Sequence, residues 1–262
     1  MAQSLNGKIV LITGASAGIG AACAEVFAEA GTRLLLLARR QDRLEKLAAS
    51  LRSQHHTEVL PLQCDVQSLD QVRRVFETLP AEWQAIDVLI NNAGLARGLN
   101  PIDQGNIQDW EEMIDTNVKG LLYVTRQVLP GMIQRQRGTI VNIGSIAGRE
   151  VYPQGNVYCA TKHAVRALSQ AIRIDTNGKN IRVCNVDPGL VETEFSLVRF
   201  RGDAERAKKV YEGYTPLSPR DVAEVVLFCV QRPPHVTIAD VLVLPTDQAT
   251  TTIVHKTDSS SQ

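Results

Sequence analysis

The stretch Ile9-Val10-Leu11-Ile12-Thr13-Gly14-Ala15-Ser16-Ala17-Gly18-Ile19-Gly20 decides how this chain of 262 residues folds. Its first half is a short apolar run without polar alternation, the pattern of a strand covered on both faces. Its second half is a glycine-rich turn that opens a helical segment over 18–30. Glycines here let the chain turn sharply, leave room for a pyrophosphate and bring helix close to strand. The helix start then offers unpaired N–H groups and a positive dipole end to phosphates. The spacing Gly14-x-x-x-Gly18-x-Gly20 is not the commoner Gly-x-Gly-x-x-Gly fingerprint. Its place between the first strand and the first helix nevertheless predicts a dinucleotide site. Gly14, Ser16, Gly18 and Ile19 are its candidate contacts.

Outward from that turn, short apolar runs keep alternating with longer amphipathic ones. Strands are expected over 8–13, 33–38, 58–63, 86–90, 138–143, 181–186 and 241–244. Helices are expected over 18–30, 41–53, 69–79, 106–134, 155–176, 204–211 and 219–230. Strict alternation of this kind predicts an α/β fold, a Rossmann-like doubly wound sheet of about seven parallel strands with helices on both faces. No repeat or linker divides the chain, so a single domain is expected over 1–248. A polar, loosely ordered tail is expected over 249–262, where Thr and Ser dominate.

Composition narrows the function classes. Lys plus Arg and Asp plus Glu are 28 each, so no net charge draws the protein to nucleic acid or to anionic lipid. The apolar run 34–38 is far too short for a bilayer. No secretory signal is visible at the start, and the five cysteines form no C-x-x-C pair. A cytoplasmic protein with reduced core thiols and no metal site is expected. His55, His56, His163, His235, His255, Trp83 and Trp110 are read as surface or packing residues.

The second strand ends in Arg39-Arg40, and Arg39 lies nineteen residues beyond Gly20. NAD enzymes of this architecture place an acid there for the ribose hydroxyls. A guanidinium instead grips a 2′-phosphate, so the pair points to NADP. A solvated pair opening a helix is the alternative. Asp65 and Val66, closing the third strand, are placed to meet the adenine, although Asp65 is equally suited to cap the next helix.

Thr13 to Gly20, Asn91-Asn92-Ala93-Gly94, Asn117, Ser145, Tyr158-x-x-x-Lys162 and Pro188-Gly189 occur in this order. In that order and at those separations they resemble the short-chain dehydrogenase/reductase superfamily over essentially the whole chain. Tyr158 and Lys162 share one helix face a turn apart. A phenol ionises near pH 10, and a neighbouring ammonium favours its phenolate. The resemblance implies that Tyr158 is the general acid/base and that Lys162 also holds the nicotinamide ribose. It implies that Ser145 bonds the substrate oxygen and that Asn117 holds a water leading to Lys162. Asn91 would tie strands together, while Asn92 borders the nucleotide. Pro188, Gly189, Val191 and Thr193 would border the nicotinamide carboxamide. Family tetramers pair the helices that correspond to 106–134 and 155–176, so a homotetramer is implied.

A narrower resemblance runs through Leu79 to Trp83, Met113 to Asn117, Gly155 to Tyr158, Pro188 to Val191 with Thr193 to Ser196, Val198 to Phe200, Gly202-Asp203 and Pro233-x-His235-Val236. These stretches are similar to the NADP-dependent 3-hydroxy acid dehydrogenases that act on serine and L-allo-threonine. That resemblance implies hydride removal from the C3 hydroxyl of a small hydroxy acid. The substrate carboxylate needs a cationic partner once buried. Arg149 and Arg199, with Arg201 beside it, are the nearest candidates in sequence. A 3-oxoacyl-thioester or general carbonyl reductase, sharing every catalytic residue, is the rival enzyme. A non-catalytic NADP sensor is the rival from another class.

Overall fold

Successive residues of the central strands face opposite helix layers, and this builds two cores from one run of sequence. The computed structural model describes residues 3–257. In β1 (Ile9–Thr13) and β2 (Arg33–Ala38), Val10, Ile12, Leu34 and Leu36 point to one side. There they meet Phe27 of α1 (Gly18–Glu29), Leu44 and Ala48 of α2 (Gln41–His55) and Val226 of α9 (Pro219–Val230). Ile9, Leu11, Leu35 and Leu37 point to the other side. They meet Val72 of α3 (Leu69–Glu77), Val124 and Val128 of α5 (Leu121–Gln134) and Ile172 of α6 (Asn156–Asp175). Fully burying one such side chain contributes about 1.5–3 kcal/mol.

The remaining strands are β3 (Val59–Gln63), β4 (Val88–Asn91), β5 (Gly138–Ile143), β6 (Ile181–Pro188) and β7 (Asp240–Val243). All seven pair in parallel, in the order β3-β2-β1-β4-β5-β6-β7. Chain order reverses between β1 and β4, and a crevice opens there at the carboxyl ends of the strands. The expected architecture and seven-strand sheet are observed.

Three expectations change. The helix expected over 106–134 is α4 (Ile107–Ile114), a π-helical turn (Asp115–Gly120) and α5. Such a turn widens the helix over only a few residues, too short a stretch for periodicity to mark it. A short helix, α7 (Phe195–Arg199), precedes α8 (Ala204–Lys209) where no helix was expected. The tail is not loose over 249–257. Ala249 N–H donates to Ile253 O (2.9 Å), His255 N–H to Asp247 O (2.8 Å) and Thr257 N–H to Gly213 O (2.8 Å). Thr250 Oγ1 accepts from Thr252 N–H and Ile253 N–H, so the polar side chains close a turn. The rest of the expected tail, 258–262, lies outside the described residues.

Candidate active site

The crevice is a cleft of about 450 Å³ that runs from the β2 end to the β6 end. Its floor is the glycine turn. Gly14 (φ +66°) lies so close to β4 that a Cβ would come within 2.9 Å of the Ala93 Cα. A Cβ at Gly20 would overlap the Gly14 carbonyl. Thr13 Oγ1 accepts from Asn92 N–H (3.0 Å) and Ala93 N–H (2.9 Å), and Asn92 Nδ2 donates to Thr13 O (2.9 Å). These bonds tie β1 to β4 at the switch point. No side chain caps α1, so its first N–H groups remain available beside Ser16, Gly18 and Ile19.

Arg39 and Arg40 line the same end, with Asp65 and Val66 across from them. Arg40 donates to Ser16 Oγ (3.2 Å) and to Glu194 (3.0 Å), which also takes Arg43 (2.8 Å). Asp65 Oδ1 accepts from Gln67 N–H (3.0 Å) in a local turn. The cap of α3 is Ser68, so the capping alternative for Asp65 falls away. Asp87 ties strands too: it accepts from Ile9 N–H (3.1 Å) and pairs with Arg137 (3.0 Å).

At the other end Ser145, Tyr158 and Lys162 come together with Asn92, Pro188, Gly189, Val191 and Thr193 on the cleft wall. All three side chains are buried. Ser145 Oγ accepts from Ala147 N–H (3.1 Å) at the start of a tight turn. Lys162 Nζ donates to Ile143 O (2.8 Å) and lies 6.0 Å from the Tyr158 ring centre. Burial lowers the Lys162 ammonium from 10.5 to about 8, partly offset by the Asp187 charge. Burial likewise pushes the Tyr158 phenol well above its ordinary value, helped by Tyr152 and opposed by Arg199 and the Ser145 hydroxyl. Arg199 is the cation whose charge opposes that rise. The lysine's charge is itself desolvated and spent on a carbonyl.

Arg199 stands beside Tyr158. Its guanidinium lies 5.0 Å from the Tyr158 ring, 5.2 Å from Phe195 and 5.8 Å from Tyr152. It donates to Tyr152 Oη (2.7 Å), while its Nε is buried without a hydrogen-bond partner. Arg149 does not face the cleft, contrary to expectation. Its Nε donates to Asp187 (2.7 Å) and its Nη2 pairs with Asp240, because Asp187 near the end of β6 and Asp240 at the start of β7 lie beside it. Arg201 pairs with Asp109 instead. Asn117 is buried in the π-helical turn. It accepts from Leu95 N–H (2.8 Å) and donates to Leu95 O (2.9 Å) and Thr161 Oγ1 (3.0 Å), so its side chain lies behind the cleft wall. Asn91 donates to Asn142 and Thr125 (2.9 Å each), the strand tie expected of it.

The signature of the short chain dehydrogenase family matches residues 8–202. The chain is a short-chain dehydrogenase. It is 50% identical over 245 residues to an NADP-dependent 3-hydroxy acid dehydrogenase of Schizosaccharomyces pombe, covering 93% of this chain and 95% of that one. It is 48% identical over 242 residues to one of Salmonella typhi, covering 92% and 96%. The solved closed form of a serine dehydrogenase complexed with NADP+ superposes with a TM-score of 0.88 at 44% identity. That likeness covers 95% of this chain and 100% of the other.

In this short-chain dehydrogenase the site also includes residues that no local motif marks. Gln248 Oε1 accepts from Leu190 N–H (2.8 Å), and a Cβ on Gly189 would overlap it. Gln248 thus props the Pro188-Gly189 turn from near the end of the chain. Tyr152, Glu194 and Arg43 reach the site or its rim from loops and from a helix face. Only contacts between distant segments identify them.

Proposed function

We propose that this enzyme is an NADP-dependent dehydrogenase of small 3-hydroxy acids, of the serine, L-allo-threonine and 3-hydroxybutyrate kind. One observation carries the substrate class. The Arg199 guanidinium, with a buried unpaired Nε, lies in the same cleft as Tyr158 and Ser145. A half-buried cation with an unpaired donor seeks an anionic acceptor, and a carboxylate two carbons from the carbinol has that charge. The names of the relatives point the same way.

The residues present fit the cofactor. The glycine turn and the uncapped α1 start would take its pyrophosphate, Arg39 and Arg40 its 2′-phosphate, Asp65 and Val66 its adenine. Asn92, Lys162, Pro188, Gly189, Val191 and Thr193 would border its nicotinamide half. Bound NADP supplies the hydride acceptor. Ser145 would hold the substrate hydroxyl, and Tyr158 would take its proton as the C3–H bond gives up its electron pair. The product is the 3-oxo acid, which loses carbon dioxide spontaneously. Asn117 would shape the proton exit through the π-helical turn beside Lys162.

Turnover by the wild type and by Tyr158→Phe and Arg199→Met, on a free 3-hydroxy acid and its methyl ester, tests this reading. Tyr158→Phe should abolish turnover while binding NADP. Arg199→Met should lower kcat/KM for the acid roughly ten- to hundred-fold and leave the ester little changed. Preference for the ester, or for a 3-oxoacyl thioester, would sink the assignment in favour of an acyl reductase. No turnover on any of them would favour an NADP sensor. A homotetramer belongs to the same proposal, supported by apolar residues exposed on α4, α5 and α6. So does a reducing compartment such as the cytoplasm, supported by the five buried free thiols. No described helix is long and apolar enough to cross a membrane.

A further inference from the structure

Three hydrogen bonds grip residues 143–145 from behind the cleft. Lys162 Nζ donates to Ile143 O (2.8 Å), Gly144 N–H to Val186 O (2.8 Å) and Ser145 N–H to Asp187 Oδ1 (2.9 Å). A Cβ at 144 would overlap the Asp187 carboxylate, so only glycine allows that acid to reach the Ser145 amide. Asp187 is 0% exposed and lines no part of the cleft. Its other oxygen accepts from Arg149 Nε (2.7 Å), and Arg149 is anchored in turn by Asp240, which also takes Arg166 (3.2 Å). Burying a carboxylate is costly without such a partner.

We propose that Asp187 is a positioning residue of the reaction: its carboxylate, held by Arg149, sets the backbone of Ser145 and places a fixed negative charge behind Lys162. The inference rests on reading Ser145, Tyr158 and Lys162 as the reacting group. Lys162 and Asp187 hold the same short segment, the ammonium at the Ile143 carbonyl and the carboxylate at the Ser145 amide, with Arg149 beyond the acid and Tyr158 on the lysine's own helix. The carboxylate opposes the desolvation that draws the ammonium down to about 8. It therefore extends the pH range over which Lys162 stays charged.

Asp187→Asn keeps the shape and the acceptor for Ser145 N–H but removes the charge. The variant should bind NADP within about twofold of wild type by fluorescence titration at pH 7, with kcat about tenfold lower. The alkaline limb of its kcat–pH profile should move down by about one pH unit, because Lys162 loses its proton sooner. Arg149→Gln, which leaves the carboxylate unbalanced, should move that limb upward, and it serves alone if Asp187→Asn fails to fold. Limbs at the wild-type pH in the folded variants, with only Tm lowered, would mean a purely structural acid and overturn the proposal. Tyr158→Phe separates the two levels. If it stays inactive while the Asp187→Asn profile is unshifted, only the role of Asp187 fails. If it turns over like wild type, the reading of the reacting group fails and this inference with it.

Discussion

Lys162 is a charged residue largely withdrawn from water, and its stability cost can be measured. Its folded-state value of about 8 lies below the ordinary 10.5, chiefly because burial penalises the ammonium. Between those two values the unfolded chain binds the extra proton, so this group makes the fold more stable as pH rises through that window. At pH 7 the whole cost is present, and the displacement corresponds to roughly 3 kcal/mol. Lys162→Met should therefore raise the stability of the ligand-free protein at pH 7 by up to about 3 kcal/mol while abolishing turnover. Its gain should shrink towards pH 10. Urea denaturation at both pH values checks this, and an equal gain at each would refute the desolvation account. The enzyme gives up stability for function at this position.

The junction of β2 and α2 works as an element. Arg39, Arg40 and Arg43 occur within five residues of chain, and Glu194 from the segment after β6 partners two of them. These pairs are about two-fifths exposed, so they add little to stability, while a doubly charged phosphate outcompetes a carboxylate for the same guanidiniums. Replacing Arg39 and Arg40 by Ala should raise the NADP dissociation constant roughly ten- to hundred-fold and leave that of NAD within about twofold. Calorimetric titration of both cofactors reads the difference. Equal weakening would assign the pair to structure alone.

At the scale of the whole molecule, the two cores are covered by helices, yet the helix faces that the family pairs in tetramers remain apolar here. Ile107 is 66% exposed, Leu122 38% and Ile174 66%, on α4, α5 and α6. Scattered exposed apolar residues are ordinary, but these fall on the helices that the resemblance to family tetramers singles out. If the proposed tetramer forms, Leu122→Glu combined with Ile174→Glu should convert it into smaller species by light scattering, with the far-ultraviolet dichroism unchanged. A mass unaltered by the double substitution would place the interface elsewhere.

The resemblance to a family singled out Tyr158 and Lys162, while local patterns in the sequence were enough for the strand–helix alternation and the glycine turn. Each depends on periodicity or on neighbours within a few residues, where backbone geometry alone sets the outcome. The π-helical turn at Asn117 stayed hidden because it spans only six residues within a longer helical pattern. The tail composition misled, because its hydroxyls close a turn on their own backbone. Arg149 and Arg199 were indistinguishable as sequence: each is an arginine in a loop or short helix near a motif. The fold separates them by partners 38 and 91 residues away for Arg149, and by an aromatic cage with a free Nε for Arg199. Which strand ends meet determines which charges are neutralised. An ion pair across a sheet is a property of the assembled sheet, so only the tertiary structure could leave the Arg199 Nε without a partner.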